Sequence, residues 1–392
     1  MTTGAATWEG KGVSLGEVEA EMQRLWSSGG NGWKGDGPRP DIRTSVLNLI
    51  VYAPNQACCE RTTAALEHLS GTHPSRAIII VPGEPHATSS MDCRLSIHSH
   101  GAYAEYRQVC SEQLVLWVHG QASHHLASIV APLLAPDLPV FLWWLGETPF
   151  HHHVYGQLRD VADRFIVDSS DFGNPTQDLV AMSHSVHAAA ERVAFSDFNW
   201  ARLAPWRDLI AQFFDAAQYR PYLDRLTVMW VECAPSTDRV IHVLPQVLLL
   251  GGWLSSSLGL HAEQRHLADD HYELLLGNGA RKFSVDIRVG APRDFAPLKI
   301  RLEAPASDGM PAGEFSLAVD TKTGQVSTTA SIAGSEPVVR KGKLEDRSEA
   351  SLLFEVLEVF GHDEVYERAL HAAANMLDPS YRRELVKGSL LV

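Results

Sequence analysis

Residues 140–145 read Val-Phe-Leu-Trp-Trp-Leu, six large apolar side chains in a row, bounded by Asp137 and Pro139 before and by Gly146 and Pro149 after. The run is too short for a buried helix, and its borders mark a strand covered on both faces. Such a strand cannot stand alone. It requires neighbouring strands at its sides and helices above and below. The Gly-Glu-Thr-Pro loop after it lies where an open parallel sheet gathers ligands and partners.

The flanking sequence supplies those neighbours. Residues 44–53 are nearly all apolar, and residues 56–69 read as a helix ended by Gly71. Short apolar strands follow at 78–81, 94–98 and 114–118. Residues 123–134 predict a helix leading into the central strand, 157–162 another helix, and 165–168 a strand. Short apolar strands alternating with helices define an α/β domain with a mostly parallel sheet. Residues 171–199 are expected to be helix and loop. Pro205 then suits a first helical turn, with Leu209, Ile210, Phe213 and Phe214 on one face. At the other end, Ser14 and Glu17 form a capping box that opens a helix through Val18, Met22, Leu25 and Trp26. Residues 27–40, with five glycines and two prolines, read as a flexible tether.

Beyond residue 220 the pattern changes. Residues 226–231 are a strand, and 244–258 an apolar helix with Pro245 at its start. Then Phe283, Val285, Ile287 and Val289 interleave with polar residues, as do Leu298, Ile300 and Leu302, and Phe315, Leu317 and Val319. A period of two with one polar face means an antiparallel sheet wet on one side. Thr321-Lys322-Thr323-Gly324 fits a hairpin turn. Helices at 348–360 and 363–376 are expected to cover the dry side. The expectation is therefore an N-terminal helix and tether (1–40), an α/β domain (41–215) and an α+β domain with an antiparallel sheet (216–392).

Composition narrows the function. A net charge of −14 disfavours nucleic acid and anionic membranes, which need a cationic surface. No apolar run reaches the roughly 20 residues of a membrane span, and the N-terminus lacks the basic start and apolar core of a secretory signal. The five cysteines at 58, 59, 93, 110 and 233 form no C-x-x-C pair. A cytoplasmic chain with reduced thiols is expected.

Several clusters are candidates for chemistry. His124-His125 and His151-His152-His153 could share a metal if their loops meet, although three adjacent histidines cannot all face one ion; solvated loop histidines are the simpler reading. Gly277-Asn278-Gly279 lacks the third glycine of a dinucleotide signature and reads as a hairpin turn. Cys58-Cys59 sit at a helix start that favours a thiolate, or pack as small hydrophobes. Arg76, in His73-Pro74-Ser75-Arg76, can bind phosphate or a partner carboxylate, or close a turn. Trp200, Arg202, Trp206 and Arg207 are of the types that dominate interface hot spots, and tryptophans there also suit packing. No nucleophile–base pair or catalytic carboxylate pair stands at diagnostic spacing. No catalytic residue, cofactor or metal is assigned.

Taken in order, Arg43 to Tyr52, His73-Pro74-Ser75-Arg76, residues 138–149 and residues 197–214 resemble the glucose-6-phosphate dehydrogenase assembly protein OpcA family. The resemblance implies a non-enzymatic partner of glucose-6-phosphate dehydrogenase in the oxidative pentose phosphate pathway. Such a partner promotes the active oligomer as an assembly factor and allosteric activator, and it uses a protein surface for which Trp200, Arg202, Trp206, Arg207 and Arg76 are the candidates. It also implies thioredoxin control through cysteines in photosynthetic relatives. The last 159 residues here hold no cysteine, which argues against such control. The alternative is a sugar-phosphate enzyme or metabolite sensor using the Arg76 and His151 region.

Overall fold

The computed structural model describes residues 2–28, 45–70, 72–101, 108–189, 192–233, 243–268, 271–289, 298–307, 309–320, 323–344, 347–359, 361–378 and 380–381. The chain folds into two compact units. The first comprises Met1–Asp168, Ala189–Ser196 and Ser348–His362, and the second Ser169–Ala188, Asp197–Arg347 and Asp363–Val392. The units are thus interleaved along the chain. Nearly all of the expected tether, with Arg43 and Thr44, lies outside the described residues.

The first sheet holds β1 (Thr2–Gly10), β2 (Leu47–Tyr52), β3 (Ser75–Pro82), β4 (Ser90–Gly101), β5 (Gln108–His119), β6 (Val140–Trp144), β7 (Arg164–Val167) and β8 (Ala194–Asp197). Their order is β1-β4-β5-β3-β2-β6-β7-β8. From β5 through β7 neighbours run parallel, and β4 and β1 extend that edge antiparallel. The apolar runs are buried as expected. Ile50, Ile78, Ile79, Ile80, Leu114, Leu116, Leu142, Phe165 and Ile166 are all fully buried. Each such side chain contributes roughly 1.5–3 kcal/mol relative to exposure.

The expected opening helix forms as Leu15–Ser28. The Ser14 amide donates to the Glu17 carboxylate at 2.7 Å and the Glu17 amide to Ser14 Oγ at 3.3 Å, so the capping box is reciprocal. Val18, Met22 and Leu25 face inward. The helix expected at 123–134 is instead one short α-turn, Leu126–Val130, between the 3-10 turns Gly120–His124 and Ala131–Leu133. Pro132 offers no amide to continue it. Gly120, at φ +63°, is obligatory here, because a Cβ would lie 2.4 Å from the Ala87 carbonyl.

The second sheet holds β9 (Val228–Cys233), β10 (His261–Leu267), β11 (His271–Gly277), β12 (Lys282–Val289), β13 (Leu298–Ala304), β14 (Gly313–Asp320), β15 (Gln325–Ile332) and β16 (Val338–Lys343). Their order is β10-β11-β12-β9-β13-β14-β15-β16. Only β9 and β12 pair in parallel; the other pairs are antiparallel. Phe283, Val285, Ile287, Ile300, Leu302, Phe315 and Leu317 form the dry side. Helices Val243–Ser257 and Glu364–Leu377 belong to this unit and cross closely at Gly252, where a Cβ would stand 2.1 Å from the Ala369 carbonyl.

Gly279 (φ +85°) turns the β11–β12 hairpin, as expected for that glycine pair. Thr321 and Lys322 of the other expected turn lie outside the described residues, while the Gly324 amide donates to Asp320 O at 2.8 Å. One placement is corrected. Helix Glu349–Glu358 does not cover the second sheet; it joins the first unit and packs against helix Gln56–Leu69. Arg61 meets Glu349 at 3.1 Å and His73 meets Glu358 at 2.6 Å. Its apolar stripe announces burial without saying against what.

Candidate functional site

Strand order reverses between β2 and β6, since the chain runs outward from β2 through β3 on one side and through β6 and β7 on the other. A doubly wound sheet opens its ligand crevice at such a point. Here the turn after β2 is Ala53-Pro54-Asn55, without glycine. Asn55 caps the next helix by accepting from the Cys58 amide at 2.9 Å. Gly146, after β6, approaches Pro54 so closely that a Cβ would stand 3.2 Å from the ring.

Aromatic side chains occupy the strand ends. Tyr52 and Trp144 are register partners and stack at 3.9 Å. His152 lies edge-on to both, at 5.3 and 5.1 Å, with its Nε2 3.1 Å from the Tyr52 hydroxyl. Burial pushes Tyr52 up to about 12, which removes it from acid–base work near neutrality. The two histidine clusters do meet: His124 and His153 stand 4.6 Å apart and His152 stacks on His153 at 4.7 Å. Burial, and then the neighbouring imidazole, lowers the pKa of His152 and of His153, which disfavours their charged forms. Among the described residues they do not converge three ligand atoms on one point.

The other expected residues fall into two groups. Arg76 is buried at 5% exposure, with its Nε 2.5 Å from the Glu112 carboxylate and its Nη1 donating to Leu133 O at 2.9 Å. Trp26 of the opening helix also donates to Glu112. Arg76 therefore belongs to an internal network. Trp200, 5% exposed, donates to Asp363 at 2.9 Å and lies 5.6 Å from Tyr366; it too is an interior residue. Arg207 covers its ring at 3.3 Å. Arg202 reaches the Ser170 hydroxyl at 3.4 Å. Arg202, Trp206 and Arg207 stay half-exposed, so the segment does gather, with its tryptophan anchor turned inward.

Cys58, Cys59, Cys93 and Cys233 carry free thiols. Burial raises the pKa of Cys59, and takes Cys93 to about 12 and Cys233 to about 11. The thiolate expected at the helix start is therefore opposed at Cys59, where desolvation outweighs Arg94.

Two further arrangements emerge only with the fold. Ser183 Oγ lies 2.6 Å from His371 Nδ1 and 2.6 Å from the Tyr381 hydroxyl. Ser183 is fully buried and reachable by no substrate, so the trio ties helix Pro175–Ala189 to the terminal helix. The other is His271, Glu273 and Asp286 on β11 and β12. The i, i+2 spacing of His271 and Glu273 could have flagged it, given the hairpin register.

Fold and site together define a protein of two units, one α/β and one α+β, whose sheet switch point is closed by its own aromatic and imidazole rings. Residues 66–184 match a family model described as glucose-6-phosphate dehydrogenase subunit N-terminal domain, and residues 193–370 the matching C-terminal domain. The chain belongs to the OpcA family. A Synechocystis protein described as OxPP cycle protein OpcA is 30% identical over 150 residues, which cover 38% of this chain and 30% of that protein. One from Nostoc punctiforme is 24% identical, over 63% of this chain and 66% of its own length. Across three such relatives the match spans 30% to 66% of their lengths. The yvaA oxidoreductase of Bacillus subtilis superposes at a TM-score of 0.44 with 10% identity, over 88% of this chain and 98% of that one, a likeness too slight for argument. No helix among the described residues is long and apolar enough to cross a membrane.

Proposed function

We propose that this chain is a non-catalytic partner of glucose-6-phosphate dehydrogenase that binds the enzyme and promotes its active oligomer. The observation that carries the reading is the match of both halves to models described as dehydrogenase subunit domains. The site geometry supports it. The strand ends where a cofactor would lie hold Tyr52, Trp144 and His152, and the turn after β2 lacks the glycines that let a backbone approach phosphate. Arg76, on which a sugar-phosphate reading depends, is already paired with Glu112.

Activation requires unequal affinity for the enzyme's two states, and a stable contact should bury about 1,600 Å². Arg202, Trp206 and Arg207 remain candidate contacts. The wet face of the second sheet adds Trp230, flanked by Arg288 and Arg301 at 5.4 Å each. The test is a dehydrogenase assay with and without the purified chain, alongside size-exclusion chromatography. Raised activity with co-elution is expected. Unchanged kinetics and separate elution would reject the reading.

A further inference from the structure

On the wet face of the second sheet, the β11–β12 register sets Glu273 opposite Asp286 and His271 opposite Arg288. Like charges directly across antiparallel strands destabilise the pair. Here one of the two carboxylates is also desolvated, for Asp286 is 7% exposed. Arg288 Nε holds its Oδ1 at 3.2 Å, which leaves Oδ2 toward His271 Nε2 at 3.1 Å. His271 Nε2 is also 3.7 Å from Glu273 Oε1, and all three ligand atoms lie within 4.8 Å of one another.

We propose that His271, Glu273 and Asp286 bind a first-row transition dication of the zinc type, with one coordination position open to water. A tetrahedral ion with bonds of about 2.0–2.2 Å holds its donors about 3.3–3.6 Å apart. The two edges from His271 Nε2, 3.1 and 3.7 Å, bracket that value, and the edge between the carboxylates, within 4.8 Å, closes as exposed Glu273 swings inward. One imidazole and two carboxylates carry two negative charges, of which Arg288 offsets one from the Oδ1 side of Asp286, so the donor set that faces the site stays anionic. The nitrogen donor selects against calcium and magnesium, which prefer all-oxygen shells. Arg288 fixes the carboxylate plane from outside, as second partners of metal ligands do. Glu273, 58% exposed, leaves the site open to solvent.

The experiment uses the full chain, stripped with a chelator and titrated with Zn2+ by calorimetry, with Co2+ absorption reporting geometry. Since the chain holds 19 histidines, the reading is the difference between variants. Wild type and His153→Ala are expected to keep a one-equivalent site with tetrahedral Co2+ bands. His271→Ala, Asp286→Asn and Glu273→Gln should each weaken it at least tenfold. Glu273→Gln changes an exposed side chain, so circular dichroism should show an intact fold. Identical isotherms in all variants, or no binding below 100 µM Zn2+ (on the order of 5 kcal/mol), would overturn the assignment.

Discussion

Trp143 and Trp230 stand on central strands of the two sheets, in opposite surroundings. Trp143, on β6 between β2 and β7, is 1% exposed. Trp230, on β9 between β12 and β13, is half-exposed, with arginines over its ring. A sheet covered on both faces leaves chemistry only its strand ends, and in the first unit aromatic rings hold the ends at the switch point. A sheet covered on one face can carry ionisable groups in register along the other. The second unit does so.

The contrast can be broken most severely at Trp143→Ala, which should cost about 3–5 kcal/mol, read as a lower denaturation midpoint at an unchanged slope. A loss below about 1 kcal/mol would mean that the sheet is not packed on both faces. Arg76→Met tests the polar exception inside that sheet. Removing the buried cation that pairs with Glu112 should cost about 3–5 kcal/mol, and adding Glu112→Gln should restore much of it.

The dry side of the second unit is probed through pH. Burial lowers His371 to about 4, with His187 and His184 adding to the shift. The unfolded chain takes up a proton below about 6.5 that the folded chain refuses. This group's contribution, up to about 3 kcal/mol, is therefore complete above that pH and is lost as pH falls toward 4. In His371→Gln the melting temperature should vary less over this window; an unaltered profile would remove His371 from the account. Asn55→Ala should cost about 1 kcal/mol by uncapping helix Gln56–Leu69. Trp230→Ala should sit lowest, below about 1 kcal/mol, as changes away from a packed core do. A larger loss would show that the wet face is part of the core.

The same contrast explains what the sequence disclosed. Buried-both-sides strands announce themselves as apolar runs, and β2, β3 and β6 were legible for that reason. One-sided strands announce themselves by alternation, and β12, β13 and β14 were legible for that. The strands that escaped lacked either mark. Every residue of β16 is exposed, and β10 is nearly so; β11 carries Leu274, Leu275 and Leu276 consecutively. β8 is four residues long. Site residues were harder, because type alone cannot separate a surface anchor from an interior one. Trp200 and Arg76 have the chemistry of recognition, yet Asp363 and Glu112, 163 and 36 residues away, turn them inward.

Helix Glu349–Glu358 has a bearing on biosynthesis. Ser348–His362 is part of the first unit, so a nascent chain leaving the ribosome cannot finish that unit until the segment through His362 has been translated. A premature stop before residue 348 would strip cover from helix Gln56–Leu69. It would also remove the acceptors that Glu349, Glu358 and the carbonyls of Val359 and Gly361 offer to Arg61, His73 and Arg164. Such a fragment would be fodder for quality-control proteases instead of a working half-protein.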